Sequence, residues 1–101
     1  MTAYLQHLAQ AYFHQDYDLE FSSPDEVVAA YVEGEGLIAV RGLGIEIDRL
    51  LSAPVDEVGL ADLWVKKFGA AFDPAAHGQT YGAWFAHVRD ILEPDRPVAV
   101  A

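Results

Sequence analysis

Tyr81, Trp84, Phe85, Val88, Ile91 and Leu92 recur three and four residues apart, so they line one side of an α-helix and cannot alternate in and out along a strand. Thr80 stands in front of them as an N-cap. The same grammar recurs upstream. Tyr4, Leu5, Leu8, Ala11 and Tyr12 predict a first helix over 2–13. Ser23-Pro24-Asp25-Glu26 is a helix start, with Ser as N-cap, Pro at the first helical position and Glu at the third to complete a capping box. Val27, Val28, Tyr31 and Val32 follow as the buried stripe, leaving Asp25, Glu26 and Glu33 outside, and Gly34 and Gly36 end the helix. A further helix starts at the cap Asp56, where Val55 and Leu60 can form a hydrophobic staple. It buries Leu60, Leu63, Trp64 and Phe68, carries Lys66 and Lys67 in its last turn and stops at Gly69.

Two stretches fit this scheme less well. In His14–Phe21, Tyr17, Leu19 and Phe21 alternate with Asp16, Asp18 and Glu20, the pattern of an extended segment; with no strand to pair with, it reads as a structured loop. In Leu37–Leu51, Val40, Leu43, Ile47, Leu50 and Leu51 suit a helix, whereas Gly42 and Gly44 each oppose one by about 1 kcal/mol. The alternative is two short strands turning at Gly42-Leu43-Gly44; the clear helical period favours one helix over 37–52. The expectation is therefore an all-α, single-domain bundle of about five helices over residues 1–92, with a flexible tail over 93–101. A length of 101 residues suits one core, and 52% hydrophobic residues supply the apolar surface to form it.

Charge narrows the partners. The net charge of −10 repels nucleic acid and anionic membranes, so neither is expected as a direct ligand. Seven acids (Asp16, Asp18, Glu20, Asp25, Glu26, Glu33, Glu35) and no Lys or Arg lie before Arg41, whereas the rest of the chain carries only −3. Solubility alone does not call for such segregation, which reads as a face of one sign for a basic partner. There is no cysteine, hence no disulfide or thiolate site. MTAYLQHLAQAY lacks the basic and apolar regions of a signal peptide, and no run approaches the ~20 apolar residues of a membrane span, so a cytoplasmic location is expected.

Reactive residue types are present without a reactive spacing. His14, Asp16, Asp18 and Glu20 could in principle hold a divalent metal or work as acid and base, but a row of such groups along one segment is more simply a solvated face. His7, His77 and His87 are scattered, the serines lie at helix ends, and neither Gly34-Glu35-Gly36 nor Gly42-Leu43-Gly44 supplies the Lys of a phosphate loop. Trp64 and Trp84 fall on buried stripes. No catalytic residue, metal or cofactor is expected.

The run Tyr12-Phe13-His14-Gln15-Asp16-Tyr17-Asp18, with the acid-then-Leu-Leu run Glu46-Ile47-Asp48-Arg49-Leu50-Leu51 and Gly78-Gln79-Thr80-Tyr81 before Trp84, resembles the small helical immunity proteins of contact-dependent growth inhibition systems. The resemblance extends from about Tyr4 to Leu92. It implies a cytoplasmic antitoxin that binds a cognate toxin domain, often a nuclease with a basic substrate surface. The expected partner-binding residues are then Asp16, Tyr17, Asp18, Glu20, Asp25, Glu26 and Glu33, acting from a monomer, with Tyr17 either an anchor or part of the core. The alternatives are an acidic adaptor for another protein, or a metal-assisted hydrolase using His14 and Asp16.

Overall fold

The Thr80 hydroxyl accepts a hydrogen bond from the Ala83 N–H at 3.0 Å and so starts a helix, Tyr81–Leu92, that buries Tyr81, Trp84, Phe85, Val88 and Leu92. The structure, a computed structural model, describes residues 2–93. Of the tail expected over 93–101, all but Glu93 lies outside the described residues. In chain order the helices are α1 (Ala3–His7), continued by a wider turn over Leu8–Tyr12, then α2 (Tyr17–Glu20), α3 (Pro24–Glu35), α4 (Leu37–Ser52) and α5 (Glu57–Ala61), continued by a second wide segment over Asp62–Lys67. A 3₁₀ turn at Pro74–His77 precedes α6 (Tyr81–Leu92). No strand occurs among the described residues, and the fold is all-α.

The wide turn after α1 shifts the phase of the first helix. Its Phe13 N–H donates to the Leu8 carbonyl at 3.1 Å, a bond of five residues instead of four. Ala11, expected on the buried stripe, is consequently exposed, while Ala9 and Phe13 are fully buried. Residues 14–21 also depart from expectation. They form no extended segment but a helical turn, closed by Tyr17 N–H to His14 O (3.0 Å), Leu19 N–H to Asp16 O (3.0 Å) and Phe21 N–H to Tyr17 O (2.9 Å). Backbone groups that lack a partner strand are satisfied locally instead. Tyr17 and Phe21, four residues apart, pack against the core, and Leu19 is 82% exposed.

Residues 37–52 form one helix, so the two-strand alternative does not hold. Its stripe is Val40, Leu43 and Ile47, with Leu50 partly buried and Leu51 turned outward. The two glycines permit close packing. A Cβ on Gly42 would lie 2.4 Å from the Tyr4 ring, and one on Gly44 would lie 2.8 Å from the Arg89 guanidinium. Their cost in helix propensity is thus offset by the approach of α1 and α6 to α4. Arg89 is held there by Asp48 (3.0 Å) and Glu93 (2.9 Å).

Two helix starts are capped from a distance. The Tyr4 and Leu5 N–H groups of α1 donate to the buried Glu46 carboxylate of α4 at 3.1 and 2.9 Å, and the Tyr81 and Gly82 N–H groups of α6 donate to Glu57 at 2.6 and 2.9 Å. A carboxylate at a helix N-terminus satisfies orphan donors and meets the positive end of the dipole. Glu46→Ala is expected to cost about 2–3 kcal/mol, since hydrogen bonds to charged groups contribute about 1.5–3 kcal/mol each and do not add fully. Glu46→Gln, which keeps one acceptor oxygen, should cost less. Thermal melts of both variants check this order.

Candidate interaction face

Six carboxylates expected at the partner surface lie along α2 and α3, and Asp16, Asp18, Glu20, Asp25, Glu26 and Glu33 are all exposed. The helix start at Ser23 places two of them. Ser23 Oγ accepts from the Glu26 N–H at 3.3 Å, fixing Asp25 and Glu26 in the first turn of α3. The reciprocal arm of the capping box lands one residue early: Glu26 accepts from the Ser22 N–H at 3.0 Å and from the Ser22 hydroxyl, not from Ser23. Glu33 is two turns beyond Glu26 on the same side of α3, about 10 Å along the axis.

Among the described residues, no Lys or Arg pairs with any of the seven acids that precede Arg41. Their ion-pair contacts are with histidines only: His14 Nε2 to Glu20 at 3.7 Å, His87 Nε2 to Asp25 at 2.8 Å and His7 Nε2 to Glu35 at 3.3 Å. The His87–Asp25 contact joins α6 to the start of α3 and helps frame a cleft of about 550 Å³. Tyr17, Asp18, Phe21, Asp25, Trp84 and His87 are among its lining residues. Tyr17 is half-buried, its ring 5.6 Å from Phe13 and 6.3 Å from Phe72, and burial together with the nearby Asp18 raises its phenol pKa. It packs against the core, as one of the two expected roles has it, and also lines the cleft. The Trp84 indole N–H is buried and has no hydrogen-bond partner among the described residues.

A second polar cluster lies at the far end of α3, where the Tyr12 hydroxyl donates to Glu35 at 2.7 Å. Burial and this bond push the Tyr12 phenol up to about 12, and Tyr81 rises to about 12 through burial and its bond to Asp73. Burial raises Tyr31 as well. These phenols favour the folded state while protonated, so the stability they contribute is complete below the free tyrosine pKa of about 10 and falls as pH rises through about 12. A spectrophotometric titration should show phenolate formation lagging well behind free tyrosine, and Tyr12→Phe should remove one of the late-titrating groups. Glu35 has the opposite sign. Its carboxyl is lowered by the bonds from Tyr12 and His7, so its small contribution is present above the free carboxylate range and is lost as pH falls through the lower folded value.

The sequence profile of the CdiI immunity proteins matches residues 1–92, nearly the whole chain. The chain belongs to the CdiI immunity protein family. No curated protein matches it. Its fold is that of a chain in the crystal structure of a CdiA-CT/CdiI complex from Y. kristensenii 33638, with a TM-score of 0.85 and 26% identity over 90% of this chain and 97% of that one.

Within this CdiI-family fold, the expected residues divide. Asp18, Asp25 and Tyr17 share the cleft; Asp16, Glu20, Glu26 and Glu33 do not line it. The other lining residues, among them Phe21, Ser22, Phe72, His77, Trp84 and His87, were not among the expected partner-binding residues. The helical period rightly placed Trp84 in the core, at 1% exposure, and nothing in a period tells that a core ring also floors a cleft. His14 does not present a free imidazole to Asp16: its Nδ1 accepts the Asp16 backbone N–H at 3.2 Å. Among the described residues no group of three or more His, Cys, Asp or Glu could hold a metal ion, and no helix is long and apolar enough to cross a membrane.

Proposed function

We propose that this chain is the antitoxin of a contact-dependent growth inhibition pair, a cytoplasmic monomer that binds its cognate toxin domain and blocks it. The face is formed by Asp16, Tyr17, Asp18, Glu20, Asp25, Glu26 and Glu33, and the toxin is a nuclease with a basic substrate cleft. The observation that carries this reading is the set of seven acids before Arg41, with no Lys or Arg paired to them among the described residues, on a chain of the CdiI immunity family. Similarity to a chain from a CdiA-CT/CdiI complex supports a toxin domain as the partner class. Opposite charge speeds encounter and disfavours wrong partners, and carboxylates spread over two helices can occupy the positions of nucleic-acid phosphates.

The test uses the toxin domain encoded immediately upstream of this chain's gene. Mixed in equal amounts, the two proteins should run as a one-to-one complex on size exclusion, and nucleic-acid hydrolysis by the toxin should stop. Association should slow steeply with added salt, because exposed charges are screened beyond about 8 Å at physiological ionic strength. Absence of a complex, or a complex with undiminished toxin activity, would refute the antitoxin reading. A salt-independent association rate would remove its electrostatic part.

A further inference from the structure

We propose that the cleft between α2, the start of α3 and α6 receives one basic side chain of the toxin, an arginine or lysine, and is the specific anchor point within the otherwise diffuse acidic face. The assignment rests on the toxin-binding reading above and adds to it a place and an occupant. The cleft is the right kind of space for such a group. Its volume of about 550 Å³ accommodates a long side chain. Tyr17 and Phe21, both only partly buried, offer ring surface against which an aliphatic stem or a guanidinium plane can lie. Asp18 and Asp25 line the same cleft and are exposed, so a cationic head would meet carboxylates at its mouth.

The charge around the cleft selects among occupants. Asp25 already meets His87 at 2.8 Å, whereas Asp18 has no ion-pair partner among the described residues and is the open anchor. No Lys or Arg occurs before Arg41 to neutralise it from α2 or α3. An acidic or phosphorylated occupant would be repelled by both carboxylates, and a purely apolar one would desolvate them without compensation. A basic side chain satisfies both the rings and the charge.

Three variants of the full chain test this against the catalytically inactivated toxin domain from the upstream gene, with affinity measured by calorimetry. Ser22→Trp places a bulky ring at the lining of the cleft without changing charge, Asp18→Asn removes the open anchor without changing shape, and Asp62→Asn removes an exposed charge that lies outside both the cleft and the acidic face. Ser22 and Asp18 are exposed, so a native circular dichroism spectrum and melting curve confirm that a loss reflects binding. The expected result is a weakening of about tenfold or more for Ser22→Trp and for Asp18→Asn, and of less than about threefold for Asp62→Asn. Wild-type affinity in Ser22→Trp would show that the cleft is empty in the complex and overturn the assignment while leaving the antitoxin reading intact. A loss in Ser22→Trp with unchanged or tighter binding in Asp18→Asn would mean that the occupant is not basic, which also overturns it. Failure of the wild-type chain to bind the toxin would overturn both.

Discussion

Replacing Trp64 by alanine is expected to cost the fold about 3–5 kcal/mol, a large share of the stability of a domain of this size. Trp64 is fully buried at the centre of the aromatic core, with ring centroids 5.5 Å from Phe13, 6.1 Å from Trp84 and 5.7 Å from Phe85. Its indole N–H donates to the Phe72 carbonyl at 2.8 Å, which ties the loop before the 3₁₀ turn to the wide segment after α5. Truncation of a buried Trp or Phe typically costs about 3–5 kcal/mol, and a domain of this kind has about 5–15 kcal/mol in all. The stranded Phe72 carbonyl adds to the loss. Trp64→Phe keeps a ring but not the donor and should cost about half as much. Urea unfolding followed by far-ultraviolet circular dichroism and by the fluorescence of the remaining Trp84 measures both. A loss below about 1.5 kcal/mol in Trp64→Ala would mean that the aromatic core is not organised as described.

What could be read from the sequence was whatever is encoded locally. Ser23, Asp56 and Thr80 announced their helices because an N-cap acts on donors two or three residues away, and each side chain does accept such a bond. The α4 stripe was legible for the same reason. Its glycines were not, because their justification lies in Tyr4 and Arg89, which approach only once α1 and α6 have packed. Glu46 could be noticed as an acid ahead of Leu50 and Leu51, but not as the cap of α1, a bond made across 41 residues of sequence. The segment 14–21 misled in a different way. Alternation at Tyr17, Leu19 and Phe21 also contains the i, i+4 pair Tyr17 and Phe21, and without a partner strand the helical turn is what forms. On the candidate face, the segregation of charge was visible in the sequence. The cleft was not, since it depends on Asp25 meeting His87 from 62 residues away.

Reversing three charges on the face should have the largest effect on binding of any change that spares the fold. Asp16, Asp18 and Glu20 are exposed, and Asp16 makes no side-chain cap to α2. Among the described residues the one ion pair they make, His14 to Glu20 at 3.7 Å, is a surface contact that contributes little to stability. The variant Asp16→Lys, Asp18→Lys, Glu20→Lys should therefore melt close to the wild type. Against a basic toxin surface it replaces three attractions with three repulsions, each of the order of 1 kcal/mol or more, so affinity should fall by at least about a thousandfold, mostly through slower association at low salt. Cells carrying the toxin gene should lose protection in parallel. The most direct measurement is the dissociation constant of this triple variant for the upstream-encoded toxin domain, beside that of the wild type: a fall in affinity of about a thousandfold is predicted, and wild-type affinity in a natively folded variant would contradict the claim that this face binds the toxin.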